Sequence, residues 1–157
     1  MELEVFSLVP APLYFQMKRF KMIEKRPIPI TDSDSDIYWK KAKEKKLYVQ
    51  HCKTTNQYFL YSRQLISQID ETNVEWVEVS GKGTIYSFTI VYVPAGELFK
   101  DKIPYIVGSI LLIEGARLIS NIIFEDPNKI YIGQKVEVIY QNFENNLTIP
   151  MFKPIES

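Results

Sequence analysis

The sequence predicts a mainly β protein. Its C-terminal half closes into a five-stranded barrel, preceded by a short helix and a small β hairpin lobe. Three observations carry this. Residues 76–93, W-V-E-V-S-G-K-G-T-I-Y-S-F-T-I-V-Y-V, form the longest unbroken β signal, rich in β-branched and aromatic side chains. Gly81 and Gly83 bracket Lys82 inside it, and glycine within a strand pattern marks a bulge or sharp bend. Further strand-like runs separated by turn residues then follow as far as residue 152. An ordinary sandwich strand would share the first pattern, whereas a long first strand bent by glycines is how a small barrel begins to close. Alternation places Thr84, Tyr86, Phe88, Ile90 and Tyr92 on one face and Ile85, Ser87, Thr89, Val91 and Val93 on the other.

The remaining elements follow in order. Val5, Phe6, Leu8, Val9, Leu13, Tyr14 and Phe15 are apolar, but Pro10 and Pro12 oppose a continuous helix. A basic cluster, Lys18, Arg19, Lys21, Lys25 and Arg26, leads to Pro27 and Pro29. Residues 1–34 therefore read as an arm that docks on a partner, as a tail packed on its own domain, or as an upstream start with Met17 as the usual beginning. The polar run 31–36 supplies N-cap residues for a helix over 35–45, with Ile37, Tyr38, Trp39 and Ala42 apolar. Its lysines, at 40, 41, 43, 45 and 46, read as a solvated face near the negative end of the helix dipole. Strands are expected over 47–52 and 57–61, joined by a turn at Lys53–Asn56. A connection with weak periodicity spans 62–73. After Val93 comes an irregular loop over 94–104, the kind of loop that often carries binding residues. Strands are expected over 105–113, 116–124, 135–143 and 147–152, with left-handed turn geometry available at Asn145-Asn146. Five strands from 75 to 152, the first long and bent, fit an OB-type barrel.

Composition bounds the function. Lys plus Arg and Asp plus Glu are 19 each, so formal net charge is zero. That argues against nonspecific nucleic-acid binding, which needs excess cations against phosphate. A single cysteine excludes an intramolecular disulfide framework and fits a reducing compartment. No apolar run approaches the ~20 residues of a membrane helix, and Glu2 and Glu4 stand where a signal peptide is basic. The expectation is a soluble, cytoplasmic protein with no membrane partner.

The chain resembles the OB-fold, acyl-CoA-associated proteins that carry an N-terminal helix and a rubredoxin-like zinc ribbon. The resemblance covers roughly Asp36 to Pro154. It is carried by Tyr38-Trp39, by Leu47-Tyr-Val-Gln-His-Cys52, and by Glu75-Trp-Val-Glu-Val-Ser-Gly-Lys-Gly-Thr-Ile-Tyr-Ser-Phe-Thr89. Pro104-Tyr105, Ala116-Arg-Leu-Ile-Ser-Asn121, Ile132-Gly133, Val136-Glu-Val138 and Pro150-Met-Phe152 continue it. It implies a non-catalytic accessory partner of a thiolase-like acyltransferase or another acyl-CoA enzyme, binding coenzyme A or letting a thioester pass between enzymes. The chain reads as three parts: an arm (1–34), a helix with a degenerate ribbon-like lobe (35–74), and the barrel (75–157). The ribbon's zinc ligands are largely lost. Cys52 holds the first position, Thr55 stands at the second, and Ile66 and Ile69 replace the third and fourth. A structural zinc wants four Cys or His ligands. His51 and Cys52 are adjacent in a strand and point to opposite faces, so no zinc is expected.

The same opposite-face argument disqualifies His51 as a base for Cys52, and no Gly-rich phosphate loop or Ser-His-Asp set is present. Binding has more support than catalysis. Coenzyme A offers a base for stacking and phosphates for cations. The candidate contacts are Phe59, Tyr61 and Arg63 at the end of the lobe, Lys82 and Tyr86 on the opening strand, and Arg117 and Phe152 on other strands. The family resemblance places a Pro-Pro-Arg segment near Arg63, of which the arginine alone is kept. The alternative is an OB-fold single-stranded nucleic-acid binder, with Tyr86, Phe88 and Tyr92 stacking bases.

Overall fold

The computed structural model of the protein describes residues 26–32, 35–60 and 73–155. The arm up to residue 25, Tyr61, Arg63, Ile66 and Ile69 lie outside the described residues. Helix α1 spans Asp36–Lys43. The hydroxyl of Ser35 does not cap it; the Asp32 backbone carbonyl instead accepts from the Ser35 and Asp36 amides. Ala42 is fully buried, while Tyr38 packs on the main core and Trp39 on a cluster of Phe143, Leu147 and Met151. The lysines behave as a solvated face: Lys40 pairs with Asp36 at 2.6 Å, Lys41 with Glu44 at 2.9 Å and Lys46 with Glu78 at 3.3 Å. Exposed pairs of this kind stabilise little, so the helix is held by its apolar side.

Strands β1 (Leu47–Cys52), β2 (Gln57–Phe59) and β3 (Val74–Val79) form an antiparallel sheet in the order β2-β1-β3. Strands β4 (Lys82–Val91), β5 (Tyr105–Leu112), β6 (Arg117–Ile122), β7 (Lys135–Phe143) and β8 (Leu147–Pro154) close a barrel in the order β4-β5-β6-β8-β7. The long β signal is thus two strands in two sheets. Residues 74–79 pair with β1, from Leu47↔Val79 to Cys52↔Val74, and the change of sheet falls at Ser80–Gly81. Gly81 has φ +70°, and a Cβ there would lie 2.2 Å from Cγ1 of Val138. At Gly83 a Cβ would lie 2.5 Å from the Leu111 carbonyl oxygen, which the sheet holds in place. The two glycines therefore serve different ends, a left-handed corner and a close approach of strands. Three bonds fix the corner. Ser80 N–H donates to Glu114 Oε1 (2.7 Å), Ile113 N–H to the Lys82 carbonyl (3.0 Å), and Val138 N–H to the Gly81 carbonyl (2.8 Å).

The expected alternation along β4 does not hold to its end. The register against β5 shifts between Ile85 and Ser87, leaving Tyr86 as the extra residue of a bulge. Ile85 faces the core, Tyr86 and Ser87 both face out, and Phe88 and Ile90 turn back to the core. A one-residue slip reverses every face beyond it, which is why Phe88 does not share a face with Tyr86.

The parallel seam of β6 with β8 is thin. It pairs Ile122 with Phe152, adds Ile123 N–H to the Phe152 carbonyl (2.7 Å), and is reinforced by the Ser120 hydroxyl donating to the Pro150 carbonyl (2.9 Å). Asn145 and Asn146 take φ +61° and +58° at the β7–β8 turn, as expected of that pair. Inside, Leu47, Val49 and Val79 of the lobe share one cluster with Ile85, Ile110, Leu112, Leu118, Val136 and Phe152 of the barrel.

Tyr140 of β7 reports on the lobe–barrel contact. Partial burial, and then the charge of Glu78 on β3, push its phenol up to about 12 from 10.0. The folded state therefore keeps this proton where the unfolded chain has lost it. Its contribution is intact below pH ~10 and disappears as pH rises from about 10 to about 12. In urea titrations across that window, wild type should lose stability more steeply than Tyr140→Phe; parallel curves would mean that the phenol is not perturbed.

Candidate functional site: a groove between lobe and barrel

An open groove of ≈ 680 Å³ runs between the β2 edge of the lobe and the outer face of β4, β5 and β6. Tyr58, Phe59 and Leu60 form one wall, and Tyr86, Ser87, Ser109, Leu111, Arg117 and Ile119 line the barrel side. Two features of the chain build it. The corner at Ser80–Gly81 lays the lobe against the barrel. The bulge turns Tyr86 outward, leaving it 53% exposed beside Ser87. Across the strands Ser87 pairs with Ser109, Ser109 with Ile119, and Leu111 with Arg117. The Arg117 guanidinium lies 4.7 Å from the centroid of the Tyr86 ring. Such a contact contributes about 0.5–1 kcal/mol at an exposed site and holds the two groups together in the groove lining. The face of β5 and β6, strands two and three of the barrel, is the one that OB folds commonly use for ligands.

The structure brings together Phe59, Tyr86 and Arg117 among the expected contacts. Phe59 is nearly buried and packs with Cys52 and Val74, so little of its ring is open to a ligand. Lys82 does not line the groove; it starts β4, paired with Glu137 of β7. Phe152 is fully buried in the barrel core beneath the wall. Tyr61 and Arg63 follow directly on the Leu60 wall but lie outside the described residues. Tyr58, Leu60, Ser87, Ser109, Leu111 and Ile119 were not anticipated. The signal available for two of them was apolar residues on a solvent-facing strand position: Leu111 is 38% and Ile119 63% exposed.

The end of the lobe holds the residues that a zinc ribbon would use. Cys52 is a free thiol, 1% exposed, between Phe59 and Val74. Hydrogen bonds from Thr55, its side chain first and then its backbone, hold the thiol below its ordinary pKa, and burial opposes them. His51 faces the other way. Its ring stacks on Tyr58 at 4.5 Å, with Nε2 2.9 Å from Asn56 Oδ1 and Nδ1 3.7 Å from Glu75 Oε1. Lys53, 2.8 Å from Glu75, is the main cause that depresses the Glu75 carboxyl. Among the described residues, no group of three or more His, Cys, Asp or Glu could hold a metal. The residues present do not fit a tetrahedral thiolate site, because Cys52 is the single cysteine and a threonine stands at the second ligand position. No helix among the described residues is long and apolar enough to cross a membrane.

Comparison with known proteins places the chain. A DUF35 domain-containing scaffold protein of Methanocaldococcus jannaschii is 31% identical over 127 residues, 76% of this chain and 89% of that protein. The chain belongs to the DUF35 family. A family model of the ChsH2 C-terminal OB-fold domain matches residues 76–141 of this DUF35 protein, which run from β3 into β7. The solved Ltp2-ChsH2(DUF35) aldolase superposes with TM-score 0.69 at 27% identity, covering 81% of this chain and 98% of that one. A probable enoyl-CoA hydratase alpha subunit of Thermomonospora curvata is 28% identical over 147 residues. That match takes in 90% of the DUF35 chain but 46% of the hydratase subunit, so the chain spans about half of that relative.

The Thr55 contact gives a test. Thr55→Val removes the main donor to Cys52 while keeping the shape of the side chain. The ultraviolet absorbance of the thiolate should then appear at higher pH than in wild type. An unchanged titration would mean that the hydroxyl does not hold the sulfur.

Proposed function

We propose that this DUF35 protein is a non-catalytic accessory subunit of an acyl-CoA enzyme, of thiolase-like or related acyl-transferring type, and that its groove binds the thioester. The observation that carries the reading is the groove itself: Arg117 lies on Tyr86 in its lining, together with apolar side chains. A cation beside an apolar cleft suits a ligand with an anionic end and an aliphatic arm. Names among the relatives support the reading: an enoyl-CoA hydratase alpha subunit the acyl-CoA context, and a scaffold protein the accessory role.

A binding role is also favoured over a catalytic one by the placement of reactive groups. Cys52 is buried and hydrogen-bonded on one face of β1, and His51 is engaged by Asn56 and Tyr58 on the other. A nucleophile and its base must lie within hydrogen-bond reach of each other. The nucleic-acid alternative fares less well, because the groove lining holds one cation among the described residues and a strand of phosphates calls for several.

Three measurements test the proposal. Affinity-tagged protein expressed in its native host should co-elute with an acyl-CoA enzyme, and acyl-CoA should raise the melting temperature of the isolated chain. Arg117→Ala should weaken acyl-CoA binding about tenfold, the usual scale of one charged hydrogen bond, with the fold intact. A chain that elutes alone and shows no thioester-dependent shift would contradict the reading.

A further inference from the structure

Between the single 3-10 turn at Pro127–Lys129 and β7 the chain makes a second tight turn, Tyr131-Ile-Gly-Gln134, that carries apolar side chains into solvent. Ile130 is buried in the barrel core, whereas Tyr131 is 60% and Ile132 67% exposed. The turn is fixed. Gln134 N–H donates to the Tyr131 carbonyl (3.3 Å), Tyr131 N–H donates to Gln134 Oε1 (3.3 Å), and Gly133 takes φ +87°, as the third residue of a glycine-bearing turn does. Gly133 N–H also donates to the Ile85 carbonyl (2.7 Å), and Ile85 N–H to the Gln134 carbonyl (3.0 Å). The turn is thus fastened to β4 one residue before Tyr86, itself exposed. The fold holds two apolar side chains in water on a rigid frame, which is unfavourable for the isolated chain.

The cations around this turn differ from those elsewhere on the surface. Lys40, Lys41, Lys53, Lys100 and Lys153 each pair with a carboxylate. Lys129 and Lys135, which flank the turn, Lys82 on β4 and Arg117 over Tyr86 form no ion pair among the described residues. Lys43 and Lys45 are likewise unpaired, but they stand at and just past the C-terminal end of α1, where the helix dipole suits them. Glu137, which faces Lys82 in register, is engaged by Lys153 at 3.1 Å, and Asp126 accepts from the Asn128 amide. The exposed apolar residues of the β4–β5 loop, Tyr92, Val93 and Leu98, have no such ring: Lys100 is held by Glu97 and Lys102 lies over Phe99.

A rigid apolar tip within a ring of free cations has the form of a protein-interface anchor, apolar and aromatic at the centre with charge at the rim. A bilayer is a poorer fit, because two side chains bury less than the single fatty chain that by itself gives marginal binding. A nucleic-acid strand is a poorer fit too, because bases stack on open rings, and here an isoleucine leads the tip while Tyr86 already carries Arg117.

We infer that the Tyr131–Gln134 turn is the docking anchor for the acyl-CoA enzyme, which receives Tyr131 and Ile132 in an apolar pocket rimmed by carboxylates that meet Lys129, Lys135 and Lys82. The inference rests on the accessory-subunit reading and adds where the partner sits and what it presents. Ile85 is bonded to the turn and Tyr86 lines the groove, so an enzyme seated on the turn lies next to the groove.

The test uses the full chain and the acyl-CoA enzyme that co-elutes with it from its native host, identified by mass spectrometry, purified and titrated back in a surface-binding assay. Ile132→Asp should weaken binding about thirtyfold, the scale of an interface hot spot. Lys129→Glu with Lys135→Glu should slow association about tenfold at low salt and have little effect at high salt. Val93→Asp, equally exposed on the β4–β5 loop, should bind as wild type does, and all variants should keep the wild-type melting temperature. A photoreactive benzophenone side chain at position 132 should cross-link to an enzyme peptide flanked by Asp or Glu. If the Ile132 and lysine variants bind the enzyme as tightly as wild type, the inference is overturned and the accessory reading stands. If no acyl-CoA enzyme co-elutes with wild type, the accessory reading fails and this inference falls with it. Phosphatidylserine-containing vesicles, a labelled single-stranded oligonucleotide and a second copy of the chain are the rival occupants. Binding to any of these that Ile132→Asp abolishes, with enzyme binding unchanged, also overturns the assignment.

Discussion

At Ser80–Gly81 the backbone leaves a three-stranded sheet and enters a closed barrel, and the rest of the molecule depends on how that step is made. The glycine takes a left-handed conformation against Val138, where no side chain would fit. The corner is tied to two distant parts of the barrel, through Glu114 at the β5–β6 turn and Val138 on β7. The corner is short and tied at both sides, which sets the described lobe against the barrel. Its Leu47, Val49 and Val79 complete the core beneath Ile85, Ile110 and Leu112. The same geometry sets β2 opposite the outer face of the barrel, and the groove is the space this leaves.

The described part of the lobe is held by apolar packing. Cys52 is enclosed by Phe59 and Val74, and its sulfur is met by the threonine that stands where a second thiolate would be required. Burial of apolar side chains contributes about 1.5–3 kcal/mol per residue, so a few well-packed positions can stand in for coordination in a lobe that also leans on a neighbouring barrel. A metal-bound ribbon carries its stability locally. Here the stability is shared, and the lobe belongs to the core of the whole.

Much of this was legible in the sequence. Period-two patterning and turn chemistry set β1 at Leu47–Cys52 and β7 at Lys135–Phe143 as expected, and the Asn145-Asn146 turn takes the geometry its residue types favour. What patterning could not settle was sheet membership. Residues 74–79 and 82–91 read as one strand, because pairing with β1 or with β5 is a long-range choice that leaves no local mark. Nor could it settle faces beyond the bulge, since the extra residue at Tyr86 is a matter of register with a partner strand. For the site, Tyr86 and Arg117 were reachable as an aromatic and a cation on two barrel strands, which the structure sets on either side of β5. The serine pair was not, because hydroxyls in a strand carry no signal until the strand opposite is known. Phe152 misled for the complementary reason: an aromatic near the chain's end is as consistent with a core as with a ligand face, and packing under both sheets decided for the core.

The central claim is that lobe and barrel form one cooperative core without metal. Native-state hydrogen exchange of the isolated, chelator-treated protein tests it most directly, through the amides of β1 and β3 compared with those of β5 and β7. The account predicts that the most protected amides of both sheets exchange through the same global opening, with the same dependence on added denaturant. Lobe amides that exchange orders of magnitude faster than barrel amides, through an opening insensitive to denaturant, would contradict it.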